Sequence, residues 1–574
     1  MRSGRRILVA WALPVIVVVA LGLTLPVYWV YIMSAGLISA LIARSVGFVT
    51  IQAGLISLCQ MSFAAIGGWV VSWLALNLPG VPFPLLVIAG GLVVVPVGWV
   101  LGLVTTRIRG VELAVVTLGL AAGLDLVLRQ GSFPGVATGT PVSPAPPFDD
   151  PRWFFLFAVT LVLLLQAGVM VLTRSRVTFG WATMKVSEKS AAAMGLKVHV
   201  LKASAFAIGA LFSGLAGGLL AAQYGLLTTA AFSPMASVSY LATAVLCGAS
   251  FFGGAVLAGL VTVLVPELLG RLGLPLDVAT GLLALGAFDV LRRGNGGLIE
   301  QLNNRVIDRR LRDAQRTCSP ASTAATSHAA APTHLPESLN DVILETRNLA
   351  VSFGQHRVLD SIDLAVHSGE VHALIGPNGA GKTILIDAVT GFLPGYEGNV
   401  LLEGDAIDDL RAHQRALRGV RRTFQQSKSV EALTVDEFLS VSAGSSHRDR
   451  IDKIRDFFGL PDGAIPIRLL DAGSRRVLDV AGAVASGPHV VLLDEPASGL
   501  PEQESRSLAQ RVREIPATFG CAVLLVEHDI EFVTHAASRV TAMQEGRVIQ
   551  SGTVKDVLAH PAVISSFLGR NAAS

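Results

Sequence analysis

An eight-residue stretch in the second half of the chain has the residue types and spacing of a phosphate-binding loop. It reads GPNGAGKT and matches the pattern GxxxxGK[ST]. Glycines let backbone N–H groups wrap phosphate oxygens, and the N-terminus of a following helix favours negative charge. Lys382 is expected to reach the β- and γ-phosphates, and Thr383 to ligate magnesium. The predicted nucleotide-binding loop consists of Gly376, Pro377, Asn378, Gly379, Ala380, Gly381, Lys382 and Thr383.

Acidic residues follow an apolar stretch further along the chain. VVLL at 490–493 leads into Asp494 and Glu495, and a second apolar stretch, VLLV at 523–526, is followed by His528. An aspartate at the end of a buried strand suits a magnesium shell, and the adjacent glutamate can accept a proton from an attacking water. We therefore predict Asp494 as a metal ligand, with Glu495 and His528 as catalytic residues.

Two further residues complete the candidate site. Gln425 lies in RRTFQQ, between the loop and the acidic pair, and is suited to sense both magnesium and the attacking water. Phe353 could stack on adenine, although an aromatic residue near a strand could equally belong to the core.

The distribution of charge divides the chain into an apolar half and a polar half. Charged residues make up 15% of the chain, against roughly 25% in soluble domains. Only 23 of the 87 charged residues lie in residues 1–290, which leaves 64 for the remainder. We predict a transmembrane domain at 1–300, a linker at 301–342 and an ATP-binding domain at 343–574. The net charge of +3 is too small to indicate nucleic-acid binding.

Long apolar runs predict about ten spanning helices in the first domain, because several approach the roughly 20 residues that a span requires. Basic residues precede the first run, which places both ends of the domain in the cytoplasm. We expect this first run to be a helix and not a cleaved leader, because no clear small-residue cleavage site follows it. The runs are 7–27, 29–50, 54–76, 83–104, 111–128, 153–173, 203–223, 236–250, 254–270 and 276–291.

Two segments differ in composition from the apolar runs: one lies between two of the runs, and the other lies between the two domains. SEKSAAAMG, at 187–195, is a short polar stretch that ends in glycine, which favours a short helix parallel to the membrane, although an ordinary loop remains an alternative. Residues 318–336 are rich in Ala, Ser, Thr and Pro and predict a flexible tether.

The membrane half resembles the permease subunits of branched-chain amino acid ABC importers over nearly all of residues 30–290. The resemblance rests on GLISLCQMSFAAIGGW at 54–69, TRIRGVELAVVTLG at 106–119, the 180–206 segment and the stretch 232–259. It differs from the family at Cys59 and Gln60, where glycine and histidine are usual. The resemblance implies that residues 187–195 form the coupling helix that docks on the ATPase, with Ser187, Glu188, Ala192 and Gly195 among its residues.

Residues 343–574 resemble the ATPase subunits of the same importers. The resemblance assigns Gln425 to the Q-loop, Asp494 and Glu495 to the Walker B pair, and His528 to the switch histidine. It also implies a P-loop α/β core with an antiparallel β edge and a helical subdomain near 405–470. The expected fold class is a polytopic α-helical membrane domain of about ten helices, followed by an α/β P-loop ABC ATPase domain.

The signature motif of this family is altered. Where LSYGQQRR is usual, the chain has LDAGSRR, so that Asp471 replaces serine, Ser474 replaces glutamine, and Gly473 is kept. The resemblance implies that this motif contacts the γ-phosphate bound by the opposite subunit, where a carboxylate would be repelled by roughly 4 kcal/mol per charge pair at 4 Å. Asp471 could also simply cap a helix. We predict an asymmetric ATPase dimer with one competent and one weak site.

The resemblance implies a fused permease and ATPase subunit of a bacterial importer for branched-chain or related small amino acids, using ATP and Mg²⁺. Expected partners are a second permease and a second ATPase, as separate subunits or fused, an extracellular substrate-binding protein and the lipid bilayer of the plasma membrane. The ATPase domain is expected in the cytoplasm. Alternatives are an importer of urea, short amides or another small polar solute, and a nucleotide-binding regulatory membrane protein with a degenerate ATPase.

Overall fold

The computed structural model describes residues 18–108, 110–173, 176–271, 285–287, 289–290, 297–302, 341–424, 433–444 and 448–568. They form two compact units. The first contains the described residues up to Trp181 and those from His199 to 302, and the second contains Ala182–Val198 together with the residues from 341 onwards. Gln425, residues 303–340 of the predicted linker 301–342, and most of the predicted runs 7–27 and 276–291 lie outside the described residues.

The first unit consists of apolar helices, which confirms a polytopic α-helical membrane domain. Six helical spans in the described residues are long and apolar enough to cross a membrane. Two shorter or less apolar helices accompany them, Gln60–Asn77 and the 14-residue Pro234–Cys247. The six spans are Val27–Gln52, Phe83–Val104, Gly110–Gly131, Pro151–Leu172, Val198–Tyr224 and Phe252–Leu269.

The structure shifts the start of one predicted run and shows how two others are separated. The run expected from residue 54 becomes helical only at Gln60, and it follows a π-helix at Gly47–Gln52. The runs expected at 236–250 and 254–270 form the helices Pro234–Cys247 and Phe252–Arg271, which are separated at Gly248, where φ is +75°. Glycine adopts this left-handed conformation without the steric penalty of a Cβ atom.

Cys59 and Gln60, the two positions that depart from the expected permease pattern, are buried among other polar groups. The Gln60 side-chain oxygen accepts a hydrogen bond from the Ser45 hydroxyl at 2.8 Å, and the Ser213 hydroxyl lies 2.9 Å from the Ser45 hydroxyl. Cys59 lies 3.2 Å from the hydroxyl of Ser57. Buried polar groups are tolerated when they are hydrogen-bonded, so Gln60 is matched to its surroundings.

The second unit contains two β-sheets. The strands are β1 Val342–Phe353, β2 His356–His367, β3 Val371–Ile375, β4 Glu397–Leu402, β5 Asp405–Ala406, β6 Val420–Arg422, β7 Val490–Asp494, β8 Ala522–Val526, β9 Arg539–Gln544 and β10 Arg547–Thr553. One sheet is antiparallel with the order β2-β1-β4-β5, and the other has the order β10-β9-β3-β8-β7-β6. In the second sheet only β9 and β10 pair antiparallel.

The central strands of the larger sheet are apolar because both of their faces are covered. Every residue of β3, β7 and β8 is buried, as is typical of parallel strands covered by helices. The helices of this unit are Lys382–Val389, Ala412–Leu417, Val435–Ala443, Arg448–Phe458, Ala472–Ala485, Glu502–Phe519, Ile530–Ala536, Val554–Leu558 and Pro561–Leu568. Three of them lie in the predicted helical subdomain, and the α/β ATPase fold is confirmed.

A buried carboxylate at the start of β3 makes the stability of this unit depend on pH. Glu370 accepts hydrogen bonds from the backbone N–H of His367 at 2.7 Å and lies 3.3 Å from the His372 ring. Burial disfavours its charged form, but the hydrogen bonds from His372 and His367 outweigh burial and lower the pKa of Glu370.

The stability that this carboxylate contributes is present above the ordinary glutamate pKa and is lost as pH falls through the lowered folded-state pKa. We expect Glu370→Gln to destabilise the full chain by about 1–3 kcal/mol at pH 7. The difference from wild type should shrink at acidic pH, below about 4.3. Calorimetric unfolding in detergent at several pH values measures this. Glu397→Gln, at a carboxylate whose side chain is 80% exposed, is the control, and a difference that is constant with pH would contradict the assignment.

Candidate nucleotide-binding site

The predicted phosphate-binding loop connects a buried strand to a helix, as this motif requires. It leaves the end of β3 at Ile375 and enters the helix Lys382–Val389. Gly379 and Gly381 have φ values of +86° and +96°. These conformations favour glycine over any residue with a Cβ atom, which explains the spacing of glycines in the sequence.

Lys382 lies inside the loop and not in solvent. Its Nζ atom donates hydrogen bonds to the carbonyl oxygens of Gly376 at 2.6 Å and Pro377 at 3.0 Å. Burial lowers the pKa of Lys382, whereas the charges of Glu495 and Asp494 act in the opposite direction. The structure therefore brings the loop lysine close to both acidic residues, although these are more than 100 positions away in the sequence.

Asp494 ends strand β7 and is 5% exposed. Burial raises the pKa of Asp494, and the nearby Arg422 opposes this effect. The Arg422 guanidinium donates a hydrogen bond to one carboxylate oxygen of Asp494 at 3.0 Å. A buried aspartate beside the phosphate-binding lysine is therefore kept in place by an arginine that sequence reasoning did not identify.

Glu495 and His528 come together beside Asp494. Glu495 has a φ of +47°, and its backbone N–H donates to the carbonyl of Val526 at 2.9 Å. A non-glycine residue in the left-handed region is uncommon, and such conformations cluster at functional sites. The His528 Nδ1 atom lies 3.8 Å from the Glu495 carboxylate, and the histidine side chain is 57% exposed. This geometry suits a base and a residue that positions it.

A second glutamate, which the sequence did not single out, supports this corner of the site. Glu527 directly follows strand β8, and its carboxylate accepts hydrogen bonds from the backbone N–H groups of Ala497 at 2.9 Å and His528 at 3.2 Å. Burial raises the pKa of Glu527, and these hydrogen bonds oppose the rise. Glu527 thus ties the segment after Glu495 to the segment that carries His528.

The remaining predicted residues fit the site to different degrees. Thr383 is exposed at the start of its helix. Phe353 ends β1 and is 51% exposed, so it does not belong to the core. Gln425 lies outside the described residues.

The donor set fits a magnesium ion bound together with nucleotide phosphates. No group of three or more His, Cys, Asp or Glu side chains within the described residues is arranged to hold a metal. Mg²⁺ usually takes one or two protein carboxylates and completes its shell with phosphate oxygens and waters. Asp494 and Thr383 provide such a limited set, and Arg422 occupies only one oxygen of Asp494.

The altered signature motif begins the helix Ala472–Ala485, with Asp471 as its N-cap. One Asp471 carboxylate oxygen accepts a hydrogen bond from the Ser474 N–H at 2.7 Å, and the other accepts from the Ser474 hydroxyl at 3.0 Å. The Ser474 backbone N–H is the main cause of a lowered pKa of Asp471, so the residue is ionised at neutral pH.

A second carboxylate lies against the signature. The Glu504 side chain occupies the position where a Cβ atom on Gly473 would lie, and Asp471 is the next group nearby. The start of the helix therefore carries two carboxylates, those of Asp471 and Glu504. Glu504 could not be identified from the sequence, because it lies 31 positions after Gly473.

The predicted short helix is present at Glu188–Ala193, with the Ser187 hydroxyl accepting a hydrogen bond from Ser190 N–H at 3.2 Å. Gly195 follows it with a φ of +78°. The Arg421 guanidinium donates a hydrogen bond to the Ala193 carbonyl at 3.1 Å. Glu188 and Ala192 are half-buried.

Two family models match the chain. Residues 28–285 match the branched-chain amino acid transport system permease component, and residues 359–498 match the ABC transporter family. The high-affinity branched-chain amino acid transport ATP-binding protein LivG of Escherichia coli K12 is 29% identical over 253 residues, which cover 40% of this chain and 99% of LivG.

Other matches also fall on the second unit. The zinc import ATP-binding protein ZnuC of Alkalilimnicola ehrlichii is 31% identical over 231 residues, which cover 40% of this chain and 85% of ZnuC. A crystal structure of a nucleotide-free ATP-binding cassette from an ABC transporter is 27% identical, covers 40% of this chain and 100% of that chain, and has a TM-score of 0.37. The family models and relatives show that the chain belongs to the ABC transporter family, as an importer subunit in which a permease of the branched-chain amino acid type is fused to an ABC-type ATPase.

Proposed function

We propose that this importer takes up branched-chain or related small amino acids. The observation that carries the proposal is the permease match over residues 28–285. The ATPase half does not discriminate between cargoes, because LivG and ZnuC match it at 29% and 31% identity. The cargo assignment therefore depends on the membrane half.

A second cargo class is urea, a short amide or another small polar solute. It is favoured by the buried cluster of Ser45, Gln60 and Ser213, which offers hydroxyl and amide groups around Gln60. Such groups suit a neutral polar solute as well as they suit packing between helices.

In the proposed ATPase site, the loop 376–383 and Lys382 bind the nucleotide phosphates. Thr383, Asp494 and Gln425 would hold magnesium, which when bound neutralises phosphate charge. Glu495 accepts the proton of the attacking water, and His528, 3.8 Å away, positions the reacting groups. Phe353 is exposed and available to stack on adenine.

The signature of this chain serves a weak site on the opposite subunit. Asp471 is ionised, and Glu504 lies beside Gly473, so two carboxylates face the position proposed for a γ-phosphate. The intact loop, Glu495 and His528 of this chain would be completed by a partner with an ordinary signature. We therefore propose a heteromeric transporter with a second permease, a second ATPase and an extracellular binding protein.

The proposed location is the bacterial plasma membrane, with the ATPase domain in the cytoplasm. In that orientation the helix Glu188–Ala193 transmits closure of the ATPase dimer to the membrane helices. Its contact with Arg421 supports this role.

Uptake into proteoliposomes tests the cargo proposal. The chain is reconstituted with its partner subunits and with the proposed extracellular binding protein. Labelled leucine, isoleucine, valine and urea are supplied outside the vesicles, with ATP inside them. We expect ATP-dependent uptake of the branched-chain amino acids, which unlabelled urea or acetamide does not compete. Lys382→Ala, which removes the phosphate-binding lysine, is the transport-dead control. Uptake of urea or acetamide without uptake of amino acids would replace the first cargo class by the second.

A further inference from the structure

The short strand β6 carries two consecutive buried arginines. Arg421 and Arg422 are 7% and 8% exposed. Consecutive residues of a strand point to opposite faces, so the two guanidinium groups leave the strand in different directions. Buried charges are costly unless they are hydrogen-bonded, so the partners of each arginine indicate what the strand holds together.

Arg422 connects Asp494 to the helix that follows the phosphate-binding loop. It donates to Asp494 at 3.0 Å and also to the Asp387 carboxylate, and its Nη1 atom lies 3.4 Å from the Thr390 hydroxyl. Asp387 belongs to the helix Lys382–Val389, which follows the phosphate-binding loop. A side chain that hydrogen-bonds to a metal-binding carboxylate fixes the orientation of that carboxylate.

Arg421 contacts the helix Glu188–Ala193. Its Nη1 atom donates to the carbonyl of Ala193, the last residue of that helix, at 3.1 Å. The last carbonyls of a helix lack partners within the helix, and a cation near them is favourable. Within the described part of the chain, no carboxylate pairs with Arg421, and its Nε atom is buried without a partner.

The backbone of β6 is joined directly to the strand that carries Asp494. Strand β6 pairs in parallel with β7, and Thr423 N–H donates to the Leu492 carbonyl at 2.9 Å. The Thr423 hydroxyl accepts from the Asp494 N–H at 3.2 Å. A shift of β6 would therefore reach both the backbone and the carboxylate of Asp494.

A small cavity leaves room for such a shift. Its volume is about 50 Å³, and it lies between Ser190 and Met194 on one side and Thr423, Phe424 and Ser442 on the other. The Ser442 hydroxyl is buried without a partner among the described residues. The pocket is partly open to solvent, so free space borders this side of the contact.

We propose that β6 links the 187–195 segment to the magnesium site through two positioning residues. Arg421 receives the end of the helix Glu188–Ala193, and Arg422 sets the orientation of the Asp494 carboxylate. The inference deepens the proposed function and rests on it, because it takes residues 187–195 as the coupling segment and Asp494 as a magnesium ligand. Neither arginine is assigned a contact with the reacting atoms.

The test measures magnesium affinity and not turnover. The full chain in lipid nanodiscs binds a fluorescent, non-hydrolysable ATP analogue while Mg²⁺ is titrated. We expect Arg422→Gln to raise the half-saturating Mg²⁺ concentration by about 10–100-fold. Analogue binding in EDTA should be unchanged, which also shows that the fold is intact.

Arg421→Gln distinguishes the link from a purely local effect. This variant should raise the half-saturating Mg²⁺ concentration by about 2–30-fold, although the Arg421 guanidinium donates to the Ala193 carbonyl and, among the described residues, to no residue of the nucleotide site. Arg421→Lys should restore the wild-type value, since lysine can still donate to the Ala193 carbonyl. Arg418→Gln, at an arginine whose side chain is 51% exposed, is the matched control and should have no effect.

The remaining outcomes contradict the inference. If Arg422→Gln shifts the magnesium requirement and Arg421→Gln does not, the link to the 187–195 segment is wrong. If Arg422→Gln does not change the magnesium requirement, the proposed positioning role of Arg422 is wrong. If the glutamine variant does not fold, Arg422→Lys is measured in its place. If the wild-type chain does not bind the analogue at saturating Mg²⁺, the proposed nucleotide site fails and this inference fails with it.

Discussion

Glu495→Gln is expected to lower the ATP turnover of the assembled transporter by about 10²–10⁴-fold, the usual contribution of a general base. The carboxylate lies 3.8 Å from the His528 ring and directly follows Asp494 at the end of β7. Glutamine has nearly the same shape but cannot accept the proton of the attacking water. Binding of MgATP should therefore be retained. Phosphate release and binding of a fluorescent ATP analogue, both in lipid with the partner subunits present, measure the two quantities.

Glu502→Gln is the matched control for this substitution. Glu502 lies seven positions after Glu495, its side chain is 71% exposed, and it pairs with Arg506 on the same helix. Loss of an exposed ion pair changes stability little, so turnover should be close to wild type. Turnover that survives in Glu495→Gln would require another base. Glu527 is a poor substitute, because its side chain is 1% exposed and already accepts hydrogen bonds from backbone N–H groups.

The parts of the site that could be predicted are those written in short, local patterns. The strands β3, β7 and β8 are largely apolar. The glycine loop follows β3, Asp494 ends β7, and His528 comes shortly after β8, so their order and ends were visible in the sequence. The N-cap role of Asp471 was also predictable, because Ser474 lies within the first turn of the same helix. The short helix after Ser187 depended on the same kind of local signal.

The parts that could not be predicted join positions far apart in the chain. Arg422 and Asp494 are separated by 72 positions, and Arg421 and Ala193 by 228. The strand that carries both arginines is only three residues long and is strongly basic, so it has none of the apolar alternation that indicates a strand. The two arginines can be buried because the Asp387 and Asp494 carboxylates and the Ala193 carbonyl accept their hydrogen bonds. In the membrane unit, Gln60 likewise finds its partners, Ser45 and Ser213, on other helices.

Asp471→Ser is expected to raise the ATP turnover of the chain studied alone in lipid by at least about tenfold. A dimer of identical chains would place two Asp471 signatures opposite two nucleotides. The aspartate is ionised there, and repulsion of roughly 4 kcal/mol from a phosphate charge at 4 Å would correspond to about a thousandfold in rate. Screening by the surrounding cations reduces this value. Serine provides a hydroxyl in place of the charge, and it caps a helix about as well as aspartate does.

Asp150→Ser is the control that shows whether replacing an aspartate N-cap by serine changes ATP turnover by itself. Asp150 is also an N-cap, and its carboxylate accepts a hydrogen bond from the Arg152 N–H at 2.7 Å at the start of the membrane helix Pro151–Leu172. Asp150→Ser makes the same change at a helix N-cap in the membrane unit, so ATP turnover should be unchanged. If Asp471→Ser alone restores turnover, the signature is the defect, and a partner with an ordinary signature is required. If the wild-type chain already hydrolyses ATP at a rate that serine does not raise, Asp471 is only a cap, and two copies of this chain are a sufficient motor.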